Sequence, residues 1–313
     1  MKNFKTIVAS LFALIAMFII FSSNNGSNTK TGDKKPVISV STFALYDIVN
    51  HIAEDKVKVI NILPFGVDPH SFEPTPKLMA AIEDSSVVFY SGAGLEPWVH
   101  TTSFKNKAID MSKYVKLREL GKSEFEFHKH HDEQCAHSTT DPHYWLSFSN
   151  MKIMVEVVTK ELERLSPRDK TFFEENKNKY IAMLDKLDNA YKTKLSQCRV
   201  DTVILNHNAI GYMAKRYGFN VESLSGLAPE ADPTASDMKR VMKDIKDRGI
   251  EIVFFENFAN SKTMKTIAKD MGVALDTLQP LGNITADEAN KHLTYEDIMY
   301  RNLEKLSKAL VCR

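Results

Sequence analysis

Residues 124–147 read EFEFHKHHDEQCAHSTTDPHYWLS and hold five of the chain's ten histidines: His128, His130, His131, His137 and His143. At neutral pH clustered imidazoles offer unprotonated nitrogens, which suit a borderline-soft divalent metal. A run of this kind also fits a solvated polar loop with no metal at all. The tripeptide Asp-Pro-His occurs twice, at 68–70 and 141–143. Its proline fixes one φ and biases the preceding aspartate towards an extended backbone, so each histidine rides on a stiff turn. His70 follows the strand-like VKVINIL (57–63), and His207 ends the strand-like DTVILNH (201–207). Both would then stand at strand carboxyl ends, where α/β sheets bind ligands. Three imidazoles, His70, His143 and His207, meeting in a cleft would make a Zn²⁺ site with bonds near 2.0–2.1 Å and one position open. Each ring should give its other N–H to a carboxylate or carbonyl.

The elements that would hold these residues alternate along the chain. VISVS (37–41), VKVINIL and SVVFYSG (86–92) read as strands, separated by helical FALYDIVNHIAED (43–55) and PKLMAAIED (76–84). The alternation returns with DTVILNH, a helix at 209–218 closed by Gly218, an amphipathic helix at 234–249, IEIVFFENF (250–258), a helix at 261–272, VALDTLQPLG (273–282) and a last helix at 293–310. Strands apolar on both faces and spaced by helices predict parallel sheets covered on each side. The expected fold class is therefore α/β in two lobes, each long enough to bury its own core. Between them, Ser166-Pro167-Arg168-Asp169 reads as a helix start, and no Gly or Pro follows up to Ser196. Phe173, Tyr180, Leu184, Leu187, Tyr191 and Leu195 fall on one face of that stretch. A helix over 167–196 would be a rod of roughly 45 Å joining both lobes, with the metal cleft between them.

A formal net charge of +1, without long basic runs, excludes nucleic acid as an expected partner. Lys2 and Lys5 precede the apolar IVASLFALIAMFIIF (7–21), a stretch short for a membrane span and right for a secretory signal. The expected organisation is a signal peptide at 1–23, a flexible linker at 24–35, an N-terminal lobe at 36–165 with a His-rich loop at 124–140, an interdomain helix at 166–197 and a C-terminal lobe at 198–313. Retention of 1–23 as an anchor is the other reading, and no cysteine follows the apolar run to carry a lipid. Export makes the cysteines relevant. A Cys198–Cys312 bridge would pin the last helix to the start of the second lobe, although spacing does not prove connectivity. Cys135 lies in the His-rich loop as a soft ligand or a free thiol. Glu256, Glu230 and Asp232 could orient ligand histidines or brace the lobes, whereas His51, His100 and His292 read as surface or structural residues.

Taken together, DPHSFEPTP (68–76), the His-rich loop, DPHYWLS (141–147), the unbroken helix, NHNAIGYMAKRYGF (206–219), LSGLAPEADPT (224–234), IVFFENFANSKTMKTIAKDMG (252–272) and TLQPLGNIT (277–285) resemble the solute-binding proteins of zinc ABC importers. The resemblance is to the ZnuA type of the cluster A-I metal-binding family, and it covers the mature chain. It implies two α/β lobes joined by a rigid helix, His70, His143 and His207 as zinc ligands, a periplasmic location, an ABC permease as partner, a monomeric state and no enzymatic activity. It also implies that His128, His130, His131 and His137 form a weaker, flexible secondary site. Manganese-type relatives carry a carboxylate where His207 stands and an aspartate near TLQPLGNIT, where this chain has Gly282 and Asn283. Three nitrogens without hard oxygens favour zinc. The fourth position is left to water, a carboxylate or a loop histidine. Zinc-type relatives can bridge strand IEIVF to the C-terminus by a disulfide. Here Ile252 stands in the first cysteine's place, which leaves Cys198 as the candidate for Cys312. A manganese or iron receptor on the same fold is the first competing reading. An exported zinc hydrolase is the second, and the absence of HExxH speaks against it.

Overall fold

Strand formation in the first half follows burial. In β1 (Val37–Val40) and β3 (Val87–Tyr90) almost every side chain is buried, and the two strands pair in parallel at the centre of a sheet. β2 (Lys58–Asn61) and β4 (Lys107–Asp110) flank them, giving the all-parallel order β2-β1-β3-β4. The computed structural model describes residues 35–121, 139–227, 233–256 and 262–313. The signal-like segment 1–23, nearly all of the linker 24–35, loop residues His128, His130, His131, Cys135 and His137, and the acids Glu230 and Asp232 all lie outside them.

Helix α1 (Phe43–Ala53) crosses from β1 to β2 and buries Leu45, Ile48, Val49 and Ile52 against the sheet. Helix α2 (Pro76–Glu83) leads into β3 and is capped by Thr75, whose hydroxyl accepts from Leu78 N–H. A two-residue antiparallel ladder joins β5 (Arg118–Glu119) to β6 (Thr140–Asp141). In the second half β7 (Thr202–Leu205) pairs in parallel with β8 (Asn220–Ser223), and β9 (Ile252–Phe255) with β10 (Ala274–Thr277). Helix α5 (Gly211–Tyr217) joins β7 to β8, and α6 (Ala235–Arg248) and α7 (Lys262–Met271) flank β9. Gly218 and Gly249 close α5 and α6 in the left-handed conformation that glycine adopts at little cost. Short α8 (Ala286–Asn290) and the final α9 (Tyr295–Ala309) complete the chain.

The connecting rod is shorter than its sequence suggests. Helix α3 (Phe148–Leu165) ends at Ser166, and Pro167–Asp169 form a 3₁₀ turn. The continuous helix α4 then runs Lys170–Lys194, 25 residues or about 38 Å. Ser166 does not cap backbone; its hydroxyl donates to Asp169 Oδ2 at 2.6 Å, which holds the tight turn. All six predicted stripe residues, five in α4 and Leu195 at its C-cap, are buried. They pack against α1 and α3 from the first half and α9 from the last.

Residues 36–313 form one compact unit with the two-lobe α/β architecture. The two halves share apolar packing as well as holding clusters of their own. The largest apolar cluster runs without a break from Ile38, Phe89 and Trp145 through Tyr191 to Leu205, Phe254 and Tyr295. Smaller clusters lie to each side, one around Val253 and Val241 and one around Ile82 and Trp98. The cause is α4 together with α9, whose aromatic side chains fill the space that a cleft would otherwise divide. Cys198 and Cys312 are joined by a disulfide, beside backbone bonds from Arg199 N–H and Val200 N–H to Val311 and Leu310 carbonyls.

Candidate metal centre

Each Asp-Pro-His tripeptide makes the same local turn. Asp68 Oδ1 accepts from His70 N–H at 2.8 Å, and Asp141 Oδ1 accepts from His143 N–H at 2.9 Å. An aspartate that caps the backbone two residues on, with proline between, is a rigid pedestal for the third residue. His143 follows β6 by two residues, and His207 follows β7 by two. His143 and His207 are each 2 % exposed, and His70 is half-buried at the rim.

The three rings converge. Their centroids lie 5.2–5.9 Å apart, and one nitrogen from each falls within a common 4.8 Å sphere of separation. His143 Nε2 is 3.3 Å from His70 Nε2 and 3.4 Å from His207 Nε2. Two nitrogens bound at about 2.0–2.1 Å to one tetrahedral ion sit about 3.3–3.4 Å apart, so the spacing is that of ligands.

The opposite edges of two rings face carboxylates. His143 Nδ1 donates to Asp141 Oδ1 at 2.9 Å. Glu256, the residue after β9, brings Oε1 to 2.6 Å from His207 Nδ1. The angle of that second contact is poor for a hydrogen bond, and neither atom has another partner among the described residues. A carboxylate only accepts, so in neutral His143 the proton sits on Nδ1 and the lone pair on Nε2. That lone pair faces the Nε2 atoms of His70 and His207, where a cation held between the three rings would meet it. Burial works against charge on His207, yet Glu256, Asp68 and Asp141 outweigh it and raise its pKa above the ordinary value. Burial pushes Asp141 up, but the bond and charge of His143 together with Arg118 hold it below the usual carboxylate range.

A turn from the second half fixes the pedestal of His70. Asn283 Nδ2 donates to Pro64 O and Val67 O at 2.7 and 2.8 Å, and Gly66 N–H donates to Ile284 O at 2.9 Å. Trp145 stands edge-on to His143 and donates from Nε1 to Pro280 O at 2.7 Å. Between these groups lies a cavity of ≈ 20 Å³ lined by the three histidines, Asp68, Trp145, Glu256, Gly282 and Asn283. That is room for about one water-sized sphere. A Cβ on Gly282 would meet Pro69 Cγ and Trp145 Cζ2 at 3.3 Å, so this position supplies no side chain to the cavity.

Of the residues singled out by sequence, the structure brings together His70, His143 and His207, with Glu256 beside His207. His51 and His292 stand apart from them. Asp141, Arg118 and Asn283 were missed as contributors. Duplication of the tripeptide was a signal for Asp141; nothing local marked the other two.

A profile of the family described as zinc-uptake complex component A, periplasmic (ZnuA), matches residues 38–309. The high-affinity zinc uptake system protein ZnuA of Bacillus subtilis is 31 % identical over 97 % of this chain and 98 % of its own length. The zinc-binding lipoprotein AdcA of Streptococcus pneumoniae is also 31 % identical, and this chain spans 61 % of its length. The crystal structure of the Zn(II)-bound ZnuA-like domain of that AdcA superposes with a TM-score of 0.72, at 28 % identity over 88 % of this chain and 99 % of the other. The metal-dependent lipoprotein YcdH of Bacillus subtilis superposes at 0.73, with 29 % identity over 88 % of this chain and all of the other. By sequence and by fold, the chain belongs to the ZnuA family.

Proposed function

We propose that this protein is a zinc receptor: it captures Zn²⁺ outside the cytoplasm and delivers it to the membrane permease of an ABC-type importer. One observation carries the reading. Buried His143 Nε2 lies 3.3 Å from His70 Nε2 and 3.4 Å from His207 Nε2, the spacing of nitrogens on one tetrahedral ion, and one nitrogen from each ring lies within 4.8 Å of the others. His70, His143 and His207 are the proposed ligands, and the small cavity has room for a water in the fourth position. Three nitrogens and no hard anionic oxygen favour zinc over manganese. Asp141 and Glu256 face imidazole Nδ1 atoms and Asp68 accepts from the His70 backbone N–H, roles that serve the proposed ligands.

Residues 1–23 are the proposed export signal, 36–165 and 198–313 the lobes, and 166–197 the connection. The protein acts as a monomer in this reading. The loop histidines His128, His130, His131 and His137 gather zinc more weakly, because wrapping an ion in a loop carries an ordering cost that a built cavity avoids.

The test is zinc titration followed by native mass spectrometry. The wild-type protein should hold one ion tightly, and a chain lacking residues 124–138 should still hold it. Changing His70, His143 or His207 to Ala should weaken binding by at least about 100-fold, since outer partners of a ligand alone are worth 10–100-fold. Displacement of zinc by manganese would favour a manganese receptor. Hydrolysis of test esters or peptides by the loaded protein would favour the hydrolase.

A further inference from the structure

Arg118 is a charged side chain with no part in the triad, yet it is 10 % exposed and lies against the wholly buried Asp141. Its Nε and Nη2 donate to Asp141 Oδ2 at 3.1 and 2.8 Å. The other carboxylate oxygen, Oδ1, takes the His143 ring N–H and the His143 backbone N–H. The four bonds divide the carboxylate between an arginine on one side and a histidine on the other.

Two further features keep that pair in register. Arg118 and Asp141 are direct partners in the β5–β6 ladder. Tyr212 OH accepts from Arg118 N–H and donates to Asp141 C=O, both at 2.8 Å, so one phenol clamps both backbones. Next to it, Gly211 leaves the space the guanidinium needs; a Cβ there would fall 2.3 Å from Arg118 Nη2. Helix α5, which begins just after His207, is thereby seated on the arginine that reaches towards His143.

We propose that Arg118 is a positioning residue for metal capture, fixing the plane of Asp141 so that His143 keeps its proton on Nδ1 and its lone pair on Nε2. A carboxylate held at one oxygen by a planar guanidinium cannot rotate about its Cβ–Cγ bond without breaking charged hydrogen bonds. Without the guanidinium, Oδ2 is buried without its donors and the group turns to find another, taking the His143 ring with it. The inference rests on His143 being a ligand.

Arg118→Met and Arg118→Lys test it, with zinc affinity measured by competition against a chromophoric chelator. The His143 tautomer in metal-free protein is read by ¹⁵N NMR. Arg118→Met should bind zinc 10–100-fold more weakly, in the range expected for the outer partner of a ligating histidine. Its His143 signals should show mixed tautomers while those of His207 stay unchanged. Arg118→Lys, which keeps the charge but not the fork, should recover part of the loss. In an Asp141→Asn background the Arg118→Met change should add little further loss. Wild-type affinity and an unmixed His143 tautomer in folded Arg118→Met would overturn the proposal, as would fully additive losses in the double variant. If Arg118→Met does not fold, equal affinity of Arg118→Lys and wild type overturns it. Undiminished zinc binding by His143→Ala would instead overturn the ligand assignment itself.

Discussion

A metal site of this kind depends on which nitrogen of each ring is free, and that choice is made by neighbours. Asp141 makes it for His143, and Glu256 sits where it can do the same for His207. The His70 backbone is held by Asp68 and by the turn that Asn283 ties down. The tightness of that turn gives a prediction at Gly282. Gly282→Ala puts a methyl 3.3 Å from Pro69 and Trp145, and overpacking of this sort costs about 1–3 kcal/mol. Thermal melts should show a modest loss of stability, and chelator competition a several-fold loss of zinc affinity as Pro69 carries His70 outwards. The histidines themselves were legible, because a repeated tripeptide and strand-end positions are local patterns. Arg118 was not, because its role comes from a ladder partner 23 residues away. Asn283 was read only as the lack of an acid, and its amide bonds span more than 200 positions.

Among the elements, those buried on both faces were the readable ones. β1, β3 and β7 are mostly apolar runs whose side chains are almost all buried. β4 (KAID) and β8 (NVES) lie at sheet edges with mixed composition, and no periodicity marks them. The start of α4 was misplaced because Ser-Pro-x-Asp fits a 3₁₀ turn as well as a first helical turn. Helix packing around α4 depends on one buried acid. Asp47 on α1 accepts from Tyr180 OH of α4 at 2.6 Å and from Tyr295 N–H of α9 at 3.0 Å. His51, one turn along α1, sits 3.3 Å from the same carboxylate. The side-chain bond to Asp47 outweighs partial burial and raises the His51 pKa to about 9. A pKa raised in the folded state stabilises fully below the unfolded value, about 6.5, and the contribution is lost as pH rises through 9. Melting temperatures of wild type and His51→Gln should therefore differ below pH 6.5 and converge above about pH 9. A gap that persists unchanged at pH 10 would contradict this account.

For the molecule as a whole, the disulfide and the shared core act on the same junction. Cys198 stands between α4 and the strand that leads to His207, and its bond to Cys312 closes a span of 114 residues. Bridges over long spans are typically worth about 2–4 kcal/mol. Cys198→Ser with Cys312→Ser should lower the melting temperature by on the order of 10 °C, given a few degrees per kcal/mol at this size. Zinc affinity should stay within two-fold of wild type, since no ligand touches the bridge. The two-lobe plan was legible from strand–helix alternation. The sharing of one core was not, because apolar periodicity shows which face of a helix is buried and not what it is buried against. At the junction Phe148 and Tyr191 meet edge to face at 5.5 Å, Tyr191 OH donates to Met299 O, and Tyr295 OH donates to Trp145 O, two residues from His143. Prising the halves apart would wet all of these rings at once. Opening along this junction therefore carries a solvation cost that stiffens the frame. On the proposed function, release of the ion would then fall to a partner docking at the rim, where half-buried His70 is the proposed ligand within reach.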